Sequence, residues 1–202
     1  MPDFEFETKA GVFDGRIICG VDEAGRGPLS GPVVAAALIL DPENIPDGLD
    51  DSKALSHGAR ERVLNNLLIS AKIGIGISEP AEIDRINILW ASMIAMKRAI
   101  ENLSISVDYA LIDGNRIPPN LKCDAHAIVK GDAKSLSIAG ASIVAKVTRD
   151  AIMAEADQRF PGYGWAGHKG YPTKAHREAT QKLGRSPIHR WSFGNKQIDL
   201  PL

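Results

Sequence analysis

Short apolar or β-branched runs alternate along the chain with longer stretches of helical period. Residues 16–21, 33–40, 73–78, 107–112 and 125–129 have the length and composition of strands, and each is bounded by turn residues. Residues 56–68, 82–103 and 135–159 carry helical patterns. In the second of these, Leu89, Met93, Met96, Ile100 and Leu103 recur on one face and predict a stripe buried in the core. The third carries Ala139, Ala141, Ser142 and Ala145, whose small side chains permit close packing against a sheet. Beyond Phe160, the run Pro161-Gly162-Tyr163-Gly164-Trp165 cannot continue a helix. A short basic helix follows, with Thr173 as its N-cap and Gly184 as its stop. Strands early and helices interleaved later predict an α/β fold, with a core over residues 1–160 and a helical segment over 161–202.

Carboxylates punctuate the strand ends. Residues 20–32 read Gly-Val-Asp-Glu-Ala-Gly-Arg-Gly-Pro-Leu-Ser-Gly-Pro. Neighbouring side chains on a strand face opposite ways, so Asp22 and Glu23 are expected to converge where the strand stops, at a turn opened by Gly25 and Gly27. Arg26 adds a planar donor fork suited to phosphate. An isolated Asp-Glu pair is ordinarily a solvated turn. Asp113, however, also ends an apolar run, and Asp132 follows another across Lys130-Gly131. Asp132 alone reads as a cap at the opening of the third helix. Together, acids after three separate strands predict convergence at one edge of a sheet. Clustered carboxylates resist joint ionisation unless cations occupy the site. Oxygen ligands suit Mg²⁺ or Mn²⁺, and no histidine spacing offers a zinc-like alternative. Two such ions roughly 3.5 to 4 Å apart serve in-line displacement at phosphorus, which makes phosphodiester hydrolysis the matching chemistry.

Composition narrows this picture. With 202 residues, 44% of them hydrophobic, the chain can bury one sizeable core. The formal charge of −1 gives no global reason to expect nucleic acid. The charge is uneven, however: residues 161–196 hold seven basic residues (Lys169, Lys174, Arg177, Lys182, Arg185, Arg190, Lys196) against one acid, Glu178. Such a patch fits nucleic acid and equally a solvated helix face. Cys19 and Cys123 show no metal or redox spacing and read as buried free thiols in a reducing compartment. Residues 1–9 lack an apolar signal core, and the longest apolar run, 33–40, falls far short of the ~20 residues that span a bilayer. A cytoplasmic protein without membrane contact is expected, and a monomer. His168, His176 and His189 read as polar surface residues, and Lys146 and Arg149 as salt-bridge formers.

The blocks described, together with Asp51-Ser52-Lys53, Val129-Lys130-Gly131-Asp132-Ala133, residues 141–150 and His168-Lys169-Gly170-Tyr171-Pro172-Thr173, occur in an order that resembles ribonuclease HII. The resemblance implies a ribonuclease H-like mixed sheet flanked by helices, with a C-terminal helical appendage. It places active-site and metal-binding acids at Asp22, Glu23, Asp113 and Asp132. It also implies substrate contacts at Gly25, Arg26, Gly27 and Tyr171, which read the ribonucleotide junction, and a phosphate contact at Lys53. The implied activity is Mg²⁺- or Mn²⁺-dependent cleavage of RNA/DNA hybrids and of single ribonucleotides in duplex DNA, leaving 3′-hydroxyl and 5′-phosphate ends. The motif begins too near the start for the extra N-terminal domain of ribonuclease HIII, which favours HII. A metal-dependent DNA nuclease or junction resolvase, or a non-catalytic hybrid-binding module, remain alternatives. Residues 197–202 place Gln197 ahead of Leu200 and Leu202, a pattern resembling peptides that dock on sliding clamps. The same residues also fit a frayed terminus.

Overall fold

The computed structural model describes residues 1–50 and 55–194. Lys53 and the 197–202 tail lie outside the described residues. Five strands, β1 (Ile18–Ala24), β2 (Val33–Leu40), β3 (Ala71–Ser78), β4 (Tyr109–Asp113) and β5 (Asp124–Ile128), form one sheet in the order β3-β2-β1-β4-β5. β1, β4 and β5 pair in parallel, while β2 is antiparallel to both of its neighbours, β1 and β3. The C-terminal ends of the three parallel strands therefore share one edge. Among the described residues no helix is long and apolar enough to cross a membrane.

The helices are α1 (Glu5–Ala10), α2 (His57–Ser70), α3 (Pro80–Glu101), α4 (Leu136–Arg159), α5 (Trp165–His168) and α6 (Lys174–Leu183). α3 covers one face of the sheet, where Ala91, Met93, Ala95, Met96 and Ala99 meet Cys19, Val21 and Ile112. α2 and α4 cover the other, against Ala36, Leu38 and Leu40. β2 thus packs on both faces, which is why its sequence is one continuous apolar run. At Gly20 the backbone of α4 leaves no room for a side chain: a Cβ there would lie 2.5 Å from Ser137 O. Burial of alanines and glycines brings these layers close, as the small residues of α4 predict.

Several expectations shift. β1 does not stop before the acidic pair but carries Asp22 and Glu23 within its ladder with β2, opposite Ala36 and Ala35. The predicted stripe is largely core: Met93, Met96 and Leu103 are buried, although Leu103 lies beyond the end of α3, and Leu89 is only half-buried. α3 also breaks at Asn87, at φ 66° and ψ 165°. Asn87 Oδ1 accepts from the amides of Leu89 (3.0 Å) and Trp90 (3.3 Å), so it caps the second half of the helix. Of the two free cysteines, Cys19 is buried but Cys123 only half-buried. The ends of α6 agree with the sequence: Thr173 accepts from the His176 amide at 3.2 Å, and Gly184 stops it at φ 78°.

Candidate active site

The register of the parallel strands aligns the acids. Val21 of β1 pairs with Ile112 of β4, so Asp22 and Asp113 follow side by side. β4 ends at Asp113, and the longer side chain of Glu23 joins them there although it starts from the opposite face. Ligand oxygens of Asp22, Glu23 and Asp113 all lie within 4.8 Å of one another. Convergence comes from strands ending together, rather than from an early stop of β1.

Each carboxylate is held. Asp22, 5% exposed, accepts from the Glu23 amide at 2.7 Å and from the Ser142 hydroxyl on α4. Glu23 Oε1 meets Arg26 Nη1 at 3.1 Å, while its Oε2 is buried with no hydrogen-bond partner. Asp113 Oδ1 accepts from the Gly131 amide at 2.7 Å. Asp132, 7% exposed, sits in the 3-10 turn Gly131–Ala133 and donates its own amide to Asp113. It does not cap α4; Ser135 does, accepting from Ile138 at 3.2 Å. Asp132 thus adjoins the three-carboxylate cluster without being one of its members.

Burial is the largest cause that lifts the Asp22 carboxyl well above its ordinary range, reinforced by the charges of Glu23 and Asp113. Glu23 is raised by burial against the opposing effect of Arg26. Asp113 is raised by burial too, opposed by the Gly131 amide and assisted by the Asp132 charge. Such a cluster favours a cation. The buried Glu23 Oε2 and an all-oxygen donor set fit a hard divalent ion, with no nitrogen or sulfur ligand in the group.

Beside the acids, the segment 25–32 leaves β1. Gly25 takes φ 96° and presses against Arg149, where a side chain would not fit. The Gly27 position faces the Tyr171 ring: a Cβ added there would lie 3.7 Å from Tyr171 Cε1. Tyr171, 44% exposed, is held by its backbone, its amide donating to His168 O (2.9 Å) and its carbonyl accepting from His176 Nδ1 (3.0 Å). The two predicted substrate elements are therefore neighbours. Lys174, Arg177 and Lys182 stand exposed on α6, the first 3.7 Å from Glu178.

Two residue types were misjudged by the sequence. His176 and His189 are buried, not surface residues. Their Nε2 atoms lie 3.3 Å apart; Trp165 Nε1 donates to His176 at 3.1 Å, and the Ser186 amide donates to His189 Nδ1 at 2.9 Å. These partners assign neutral tautomers, with His176 protonated on Nδ1 and His189 on Nε2. His168 stacks on His176 with ring centroids 4.6 Å apart. Arg190 is 1% exposed and takes no part in the surface patch. Arg149 is buried likewise and bonds carbonyls, whereas Lys146 does form the expected bridge, to Asp150 at 2.6 Å. Only the spacing of His176 within an amphipathic helix hinted at burial.

A mixed five-stranded sheet with carboxylates gathered where its parallel strands end defines a ribonuclease H-like nuclease. Residues 19–196 match the family model for ribonuclease HII. The chain belongs to that family, and it is an endoribonuclease acting on RNA/DNA hybrids. It is 57% identical to the ribonuclease HII of Maricaulis maris over 186 residues, covering 92% of this chain and 85% of the relative. Identity is also 57% to that of Magnetococcus marinus over 180 residues, 88% of this chain and 84% of the relative. Among solved structures, ribonuclease H2 from Pyrococcus horikoshii superposes with a TM-score of 0.71 at 31% identity, covering 86% of this chain and 92% of that one. A PCNA:RNase HII complex from Archaeoglobus fulgidus gives 0.75 at 25% identity, covering 91% and 98%.

Proposed function

We propose that Asp22, Glu23, Asp113 and Asp132 hold divalent cations, Mg²⁺ or Mn²⁺, and that this edge hydrolyses the phosphodiester on the 5′ side of a ribonucleotide. The substrates are the RNA strand of hybrids and single ribonucleotides embedded in duplex DNA, and the products carry 3′-hydroxyl and 5′-phosphate ends. The convergence of Asp22, Glu23 and Asp113 within 4.8 Å carries this reading. When bound, the ions supply an activated water and neutralise charge developing on the phosphate.

The protein groups divide the remaining work. Ser142 and the Gly131 amide orient Asp22 and Asp113. Arg26, half-exposed and already beside Glu23, offers its remaining guanidinium donors to a phosphate. The amides of Gly25, Arg26 and Gly27 have no acceptor among the described residues and can donate to a 2′-hydroxyl, which only RNA carries. The exposed Tyr171 ring packs against the sugar, and Lys174, Arg177 and Lys182 collect backbone phosphates. Lys53 adds a phosphate contact by its place in the sequence pattern. Residues 161–202 form the substrate-binding unit, and Gln197, Leu200 and Leu202 dock on a sliding clamp; deleting residues 197–202 should then abolish clamp binding and spare cleavage.

The test is cleavage of a DNA duplex with one ribonucleotide, beside an all-DNA duplex, with Mg²⁺ or Mn²⁺. Wild type should cut only the first, and Asp113→Asn should lose at least about 100-fold in rate. Without metal, Asp113→Asn should melt higher than wild type, because one repelling charge is gone. Equal cutting of both duplexes, or an Asp113→Asn protein that binds metal and cleaves like wild type, would refute the assignment.

A further inference from the structure

Beyond the carboxylates, the deepest buried charges are two arginines. Arg149 and Arg190 are each 1% exposed, and neither has an ion-pair partner among the described residues. An unpaired buried cation is costly unless its donors are satisfied. Here each side-chain hydrogen bond observed for them goes to backbone oxygen.

Arg190 donates from Nε to Gly31 O (2.9 Å), from Nη1 to Arg26 O (2.9 Å) and Pro28 O (2.8 Å), and from Nη2 to Gly25 O (2.5 Å). Its amide donates to Leu29 O at 2.9 Å. Arg149 holds Pro32 O (3.0 Å), Ser30 O (3.2 Å) and Lys169 O (3.0 Å). Of the eight carbonyls from Gly25 to Pro32, seven are gathered inward, Gly27 alone excepted. The Gly25, Arg26 and Gly27 amides, by contrast, have no acceptor among the described residues. Arg26 and Gly27 are exposed, whereas Gly25 is buried and the Leu29 and Gly31 amides bond inward to Gly170 O and Ile188 O.

We propose that Arg190 is a selectivity-positioning residue: one guanidinium draws in the carbonyls of Gly25, Arg26, Pro28 and Gly31 and so fixes the amides of the exposed Arg26 and Gly27 that meet the ribonucleotide. It acts through the segment and does not touch substrate. This rests on the reading of that segment given above. A lysine cannot do the same, because a point ammonium with three donors does not span four carbonyls arranged around a planar fork.

The experiment compares wild type, Arg190→Lys and Arg190→Ala. Cleavage kinetics use the single-ribonucleotide duplex. Affinity for that duplex and for all-DNA duplex is measured with Ca²⁺ replacing the catalytic ion, and Mn²⁺ affinity by calorimetry. Arg190→Lys should lose about 100-fold in kcat/KM, the scale of an ångström-level misplacement, with the affinity ratio between duplexes falling toward one. Mn²⁺ affinity should stay near that of wild type, because the carboxylates are untouched. Adding methylguanidinium to Arg190→Ala should restore the affinity ratio. A folded Arg190→Lys with unchanged kcat/KM and affinity ratio overturns the proposal. So does a loss confined to thermal stability, or, where the lysine variant does not fold, failure of methylguanidinium to restore selectivity to Arg190→Ala. If wild type itself shows no preference for the ribonucleotide, the functional reading fails instead, whatever Arg190 does.

Discussion

Gly20→Ala tests how closely β1 and α4 must approach. The added carbon would fall against Ser137 and Ile138 backbone atoms, 2.5 Å from Ser137 O, where ordinary contact begins at 3.4 Å. Strand and helix must therefore part by about 0.9 Å or more. The obstacle is main chain rather than a flexible side chain, which puts the cost at the upper end of overpacking, about 3 kcal/mol. In a chain of this size that lowers Tm by roughly 6–12 °C. Activity should fall further than stability explains, since α4 carries Ser142 against Asp22 and a shift near 1 Å can cost about 100-fold. The assay is urea unfolding followed by circular dichroism, with cleavage rates measured on protein that is still folded. Gly167→Ala is the control: nothing lies within 4 Å of its added carbon, and helix propensity predicts a gain of up to about 1 kcal/mol. A Gly20→Ala protein within 1 kcal/mol of wild type would refute the close-packing account.

Two further outcomes are expected. Burial, then the neighbouring His176 and Arg185, pull the His189 pKa down to about 4. The folded protein thus keeps His189 neutral while the unfolded chain takes up a proton below about 6.5, so stability is full at neutral pH and declines as pH falls toward 4, by about 3 kcal/mol. Urea titrations at pH 7 and pH 4.5 should show this loss reduced in His189→Gln, and an unchanged pH dependence in that variant would contradict the assignment. Glu7, 1% exposed, accepts at Oε1 from the Ser135 hydroxyl (2.6 Å) and from the Ser137 amide (2.9 Å) and hydroxyl (2.5 Å). Glu7→Ala strands those donors at the start of α4 and should cost about 3 kcal/mol in denaturation experiments; a loss under 1 kcal/mol would show that they find other partners.

The five strands were legible because each is a short apolar run closed by a turn, and the acids were legible because they stand at those closures. What escaped depended on partners distant in sequence. For Asp132, read as one of the acids, the alternative of a helix cap stayed open because nothing local revealed that Ser135 would take that place. The break at Asn87 lies inside an unbroken helical pattern, and only the folded geometry shows its side chain capping the helix that follows. Arg190 and His189 read as exposed because a basic, polar stretch usually is. Their burial arises from carbonyls and rings supplied by residues 25–31 and 163–180.

The Arg190 clamp also ties the early segment of the chain to its late portion. Its bond to Gly25 spans 165 residues, so the segment beside the acids acquires its shape only when the chain's late portion returns to its early one. Contacts of such separation raise the mean sequence separation that slows folding as a whole. The Asp22, Glu23 and Asp113 cluster depends on β1 and β4, whereas the segment proposed to distinguish substrates depends also on residue 190. One edge of the sheet is thus completed from two distant stretches of the chain.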